Sequence, residues 1–125
     1  MNNQINKNEL LVTLLHLKGI FAPNSFTFFE ENHERRSLLI AGLREPLQQM
    51  FEISSNSSRP DIPLQDVNLE ILSFEQCATY MIFYLRLAFS QSGGSSFIKL
   101  WKDGTAEKLV MRMLDTFDKD KNNAM

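Results

Sequence analysis

The chain has 125 residues, of which 43% are hydrophobic and 22% charged, with a formal net charge of -2 and a pI near 5.7. That composition lies far from the low-hydrophobicity, high-charge corner of disordered chains, and the length suits one core. The slightly acidic balance excludes a dominant electrostatic attraction to nucleic acid or anionic lipid, and Cys77, the sole cysteine, excludes an intramolecular disulfide.

Residues 1–7 are polar and lack the cationic region and cleavage site of a secretory signal, so a disordered tail is expected there. Asn8 to Ile20 sets Leu10, Leu11, Leu14, Leu15 and Leu17 on one arc and Glu9, Thr13 and His16 on the other. This predicts an amphipathic helix stopped by Gly19 and Pro23. Thr27-Phe28-Phe29-Glu30 has the spacing of a capping box, predicting a second helix from Phe28.

From Arg35 to Ile53, Leu39, Ile40, Leu43, Leu47, Met50 and Phe51 share an arc whose phase runs unbroken across Pro46. An interior proline removes a backbone hydrogen bond and costs about 3 kcal/mol, so either one kinked helix or two abutting helices is expected. Extending the phase backward brings Asn32, His33, Arg35 and Arg36 to the apolar side. Either the helix breaks near Asn32, or His33, Arg35 and Arg36 form a small basic cluster able to take an acidic group.

Ser54 to Pro63 reads SSNSSRPDIP and is a loop by composition. In Leu64 to Leu72 the alternation of Val67, Leu69 and Ile71 with Asn68 and Glu70 suits a short strand near residues 66–72, while Leu64, Val67 and Ile71 also fit a helix. Ser73-Phe74-Glu75-Gln76 is a second capping box and opens a helix from Phe74 to Ser90. Its only polar stripe is Glu75, Thr79, Arg86 and Ser90, so it must be covered on most sides.

One side of that helix carries Tyr80, Phe83, Tyr84 and Leu87, and another carries Phe74, Ala78, Met81, Leu85 and Ala88. Either this is a central helix wrapped by the other four, or one of its faces is open in the isolated subunit and closes against a second copy or another protein, since large apolar patches mark interaction sites and aromatics edged by arginine are favoured at protein interfaces. Tyr80, Phe83, Arg86 and Leu87 are therefore the candidate partner-binding residues. After Ser92-Gly93-Gly94-Ser95-Ser96, Phe97 to Trp101 predicts a short helical turn ended by Asp103-Gly104. Ala106 to Phe117, with Leu109, Val110, Met113, Leu114 and Phe117 on one arc, predicts the last helix, followed by a polar tail over residues 119–125. The fold class is all-α, a single bundle of about five helices, with a short strand near 66–72 as its one departure.

Motifs for chemistry are sparse. Asp118, Asp120 and Asn122 match the first side-chain ligands of an EF-hand loop, but its sixth position, which must be glycine, is Asn123. His16 and His33 have no cysteine or carboxylate at metal-ligand spacing. Cys77 sits beside Ala78 and Met81 on an apolar helical face, the setting of an inert thiol, and no phosphate-cradling or nucleophile-elbow glycine motif occurs. No catalytic residue, cofactor or metal is expected, and the function expected is binding. The partner expected is another protein, a second copy of the chain included. The alternative is a helical nucleic-acid-binding regulator using Arg35, Arg36 and Arg44, which Glu30, Glu31, Glu34, Glu45 and Glu52 in the same segment oppose. The most apolar stretch, Ala78 to Phe89, includes Arg86 and is far shorter than the roughly 20 residues a membrane span needs. A cytoplasmic location is expected.

Overall fold

The computed structural model describes residues 7–22, 24–25, 33–54, 62–89 and 94–123, and the regular structure among them is wholly helical. The α-helical segments are α1 (Lys7–Ile20), α2 (His33–Gly42), α3 (Arg44–Ile53), α4 (Phe74–Ala88), α5 (Gly94–Lys102) and α6 (Thr105–Asn123), with a 3-10 turn at Leu69–Ile71. Only Leu43 separates α2 from α3, so the architecture is the all-α bundle of about five helices that the apolar periodicity predicts.

The apolar arcs explain the packing. Leu10, Leu14 and Leu17 of α1 are buried, as are Leu109, Val110 and Met113 of α6, and these two helices pack on each other. Helix α4 is central, contacting α3, α5 and α6, and it buries Cys77, Ala78, Tyr80, Met81, Ile82, Tyr84 and Leu85. Each large side chain so buried contributes roughly 1.5–3 kcal/mol against the ordering entropy. Its start is the predicted capping box: the Gln76 N–H donates to Ser73 Oγ at 3.1 Å and the Ser73 N–H to Gln76 Oε1 at 2.8 Å. The helix closes at Ala88, two residues short of Ser90.

Pro46 resolves into two helices rather than a kinked one. It stands in the first turn of α3, where its missing N–H has no intrahelical acceptor to lose, and its ring is buried. Around the joint the Leu43 N–H donates to the Ile40 carbonyl and the Leu47 N–H to the Leu43 carbonyl, both at 3.0 Å, so the apolar phase carries through. The apolar arcs are nevertheless narrower than the sequence implies. Leu15 and Phe51, both placed on those arcs by their spacing, are 53% and 41% exposed. The basic cluster expected at His33, Arg35 and Arg36 begins α2: Arg35 is exposed, and the side chains of His33 and Arg36 lie outside the described residues, as does the capping box at residues 27–30.

The short strand near residues 66–72 is not formed. Among the described residues there is no strand to pair with, and the segment satisfies its backbone locally. The Asp66 and Val67 N–H groups donate to the Pro63 carbonyl, the Asn68 side chain accepts from the Glu70 N–H, and Ile71 and Leu72 close the 3-10 turn onto Asn68 and Leu69. Leu64 and Leu72 anchor the segment at 5% exposure each, while Ile71, the third member of the apparent alternation, is 71% exposed. At the other end of the chain α6 continues to Asn123, past Phe117 and through residues 119–123 expected as tail, because extending a packed helix by one more hydrogen bond needs no new nucleus. Asp118, Asp120 and Asn122 thus lie on a helix rather than in a loop.

Two joints hold the bundle's polar groups. Between α5 and α6, Gly104 adopts φ 90°, a left-handed conformation that a side chain would strain, and the Asp103 carboxylate accepts from the Thr105 N–H. After α1, Ser25 Oγ donates to the Gly19 carbonyl at 3.0 Å and Trp101 Nε1 to the Ala22 carbonyl at 3.4 Å. Phe21, buried there, meets Tyr84, Phe97 and Trp101 edge-on with centroids 5.5, 6.0 and 5.5 Å away. Tyr84 and Phe97 stack at 4.7 Å, and this four-ring nucleus fixes α5 against α4.

Candidate partner-binding cleft

The aromatic nucleus determines where α5 lies, and so opens a cleft between it, α4 and the segment that begins at Ile62. The cleft has a volume of about 390 Å³. Tyr80, Phe83, Tyr84 and Leu87 of α4 form its floor, Ser96 and Leu100 of α5 one side, and Ile62, Pro63, Leu64 and Gln65 the other. Tyr80, Phe83 and Leu87 recur at i, i+3 and i+7, so one helical stripe supplies the floor.

The wall at residues 62–65 is held in place by specific contacts. Leu64 is its buried anchor, and the Tyr80 hydroxyl donates to the Ile62 carbonyl at 2.6 Å. That bond uses the polar end of a side chain whose ring lines the cleft. Ile62 itself is 51% exposed at the mouth, and Phe83 and Leu87 are half-buried. The Tyr84 hydroxyl donates to the Phe97 carbonyl at 2.8 Å, and burial pushes its ionisation well above the ordinary tyrosine range, with Asp103 adding to the rise. Among the described residues that line the cleft, none carries a charge.

The four candidate residues of α4 therefore divide. Tyr80, Phe83 and Leu87 come together in the cleft, Tyr80 being nearly buried, whereas Arg86 is exposed and outside the lining. Helical periodicity does not point to Ile62, Leu64, Ser96 or Leu100. A signal for the first two is present in Ile62-Pro63-Leu64, an apolar pair closing an otherwise polar run; Ser96 and Leu100 become lining residues through the packing of α5. Arg44, considered for nucleic acid, has its guanidinium 5.8 Å from the centre of the Phe89 ring.

Comparison with known protein families, characterised proteins and solved structures finds no match for this chain. The site's chemistry therefore has to be read from its own residues.

Cys77 takes no part in lining the cleft. It is fully buried, and loss of hydration pushes its thiol up to about 12, a rise that the positive charge of Arg112 only partly offsets. At neutral pH it is a small hydrophobe and not a thiolate nucleophile. Thr79, on the polar stripe of α4, donates to the Glu75 carbonyl at 3.2 Å and pairs with buried Ser54 Oγ at 2.7 Å, so this hydroxyl pair ties the end of α3 to α4. Two other surface depressions are more open: one by Val12, Glu45 and Gln49, the other by Ile98, Lys99 and Lys102. Among the described residues, no three potential metal ligands converge, and no helix is long and apolar enough to cross a membrane.

Proposed function

We propose that this chain is a small non-catalytic regulator or adaptor that binds another protein and works by covering part of that partner's surface. Its binding site is the cleft, which receives apolar side chains of the partner. The observation that carries this reading is the half-buried Phe83 and Leu87 floor under an exposed Ile62, in an uncharged lining. A charged ligand would lose hydration there without an ionic partner, whereas an apolar side chain gains from leaving water. Concave apolar sites with a few polar groups are also where soluble proteins take ligands, and this one lies near the small end of the usual range of roughly 300–1,000 Å³. Inhibitors, secretion chaperones, immunity factors and anti-activators all act by this kind of occlusion.

Ile62→Asp tests the proposal more cleanly than a change on α4. Ile62 is half-exposed and outside the buried core, so the variant should keep its helical circular dichroism and its unfolding midpoint. Used as bait beside the wild type in native lysate, it should lose partners that the wild type retains. An unchanged set of captured proteins would remove the cleft from the binding surface. A light-scattering mass twice that of the monomer, reduced to one by Ile62→Asp, would make the partner a second copy.

A further inference from the structure

Residues 62–72 are held differently from the helices around them. Their backbone bonds stay inside the segment: the Val67 N–H donates to the Pro63 carbonyl at 3.1 Å, and the Ile71 and Leu72 N–H groups donate to the Asn68 and Leu69 carbonyls at 3.2 Å. Among the described residues, side chains tie the segment to the bundle. Tyr80 of α4 donates its hydroxyl to the Ile62 carbonyl at 2.6 Å, and Arg112 of α6 donates its Nε–H to the Leu72 carbonyl at 3.0 Å, its guanidinium braced by Asp115 at 3.2 Å. One pin thus stands at each end. Leu64 and Leu72 are buried, Val67 and Leu69 half-buried, and Ile62 and Ile71 exposed.

The helices pack on one another directly, α1 on α6 and α4 on α3, α5 and α6. Helix α4 also carries its own start, because the capping box of Ser73 and Gln76 satisfies its first backbone groups from within its first turn. Leu72, immediately before that box, is extended at φ -79° and ψ 139°, so a rotation there moves the segment without unwinding α4. We propose that residues 62–72 are a strap that lifts from α4 and α6 as one unit while the helices stay packed, which gives the cleft one movable wall. Lifting breaks the two pins and uncovers Leu64 and Leu72, far less than global unfolding uncovers. With the wall away, Tyr80, Phe83 and Leu87 are open to a ligand larger than the 390 Å³ cleft admits. The strap requires no particular occupant and stands apart from the reading of the cleft as a binding site.

Native-state hydrogen exchange of the full chain tests it, with the amides of Val67, Ile71 and Leu72 reporting on the strap and those of Met81 and Leu85 on the core of α4. Isolated turns this short do not persist in water, so the strap amides exchange whenever it lifts. The three should share one opening, faster than that of Met81 and Leu85 and less dependent on urea, since less surface is exposed. Two variants separate lifting from global unfolding. Tyr84→Phe loses a bond between α4 and α5 that is still made when the strap lifts, so it should speed exchange at Met81 and Leu85 about fivefold and leave the strap amides unchanged. Arg112→Met keeps the apolar stem but removes a pin, and should speed the strap amides roughly tenfold. Exchange of all five amides in step, with Tyr84→Phe accelerating them together, would mean that the segment opens only with the whole fold and would overturn the strap. Three unrelated rates without urea dependence would overturn it too, since they mark the fraying of single turns. Unchanged strap exchange in Arg112→Met would remove the attachment at Leu72 on which the inference rests.

Discussion

The buried thiol of Cys77 offers a quantitative test of whether the inner face of α4 is core, because its ionisation is linked to folding. In the unfolded chain it should titrate at its ordinary value of 9.0, and in the folded chain at about 12. The folded state therefore holds the proton more tightly, so the thiol's contribution is fully present below pH 9 and is lost as pH rises from 9 toward 12. One unit of difference corresponds to about 1.4 kcal/mol, so near pH 10.5 the chain should have lost about 2 kcal/mol through this group alone. The assay is urea unfolding under reducing conditions at neutral pH and at several values between pH 9 and 11, on the wild type and on Cys77→Ala. Because pH also acts through the rest of the chain, the informative quantity is the difference between the two profiles. Removal of the sulfur should lower stability at neutral pH by about 1 kcal/mol, since it opens a small cavity. That deficit should shrink and then reverse as the unfolded wild-type chain is favoured by ionising its thiol, which the folded state keeps protonated. Parallel profiles from pH 7 to 11 would refute the argument and show that water reaches Cys77. At neutral pH, a thiol reagent should label the native protein only as fast as the chain opens, and rapid labelling would likewise show the thiol to be accessible.

Two further substitutions probe the elements that position the cleft. Ser73→Ala removes one half of the capping box of α4 and should cost about 1 kcal/mol in chemical unfolding, with helical content retained; no measurable change would mean that the box contributes nothing to this helix start. Tyr84→Phe keeps the stack on Phe97 and loses only the hydroxyl bond to a carbonyl that also belongs to the α5 ladder, so a loss of about 1 kcal/mol is expected; several kcal/mol would show that the ring geometry depends on that bond.

How far the sequence reveals this fold follows from the kind of interaction that forms each part. The capping box at Ser73, the stop at Gly104 and the apolar arcs of α1, α4 and α6 depend on residues within a turn or two of each other, and their spacing alone locates them. Pro46 can be read as a disruption but not as a particular one, since a kink and a two-helix joint keep the same apolar phase. The segment near 66–72 misleads for a related reason. Alternation marks a strand only when another strand is present to receive its backbone bonds, and here Pro63, Asn68 and Leu69 receive them instead. The four-ring nucleus of Phe21, Tyr84, Phe97 and Trp101 is illegible in the sequence because its members come from three separate parts of the chain, and no periodicity links them.

The same distinction applies to the site. Tyr80, Phe83 and Leu87 share a stripe, so their grouping follows from helical geometry, but the stripe cannot say whether another helix covers it. Among the described residues, α5 reaches Tyr84 through the Phe97 stack and Leu64 lines the opposite side, with Phe83 and Leu87 half-buried. A stripe in that condition is both core and surface. Leu87→Asp would disturb folding and binding together and could not separate them. Ile62 is the residue that can, because it borders the same cavity while contributing little to the interior, and its carbonyl rather than its side chain makes the bond to Tyr80. Its replacement alters what the cleft presents to a partner while leaving in place the contacts that form the cleft.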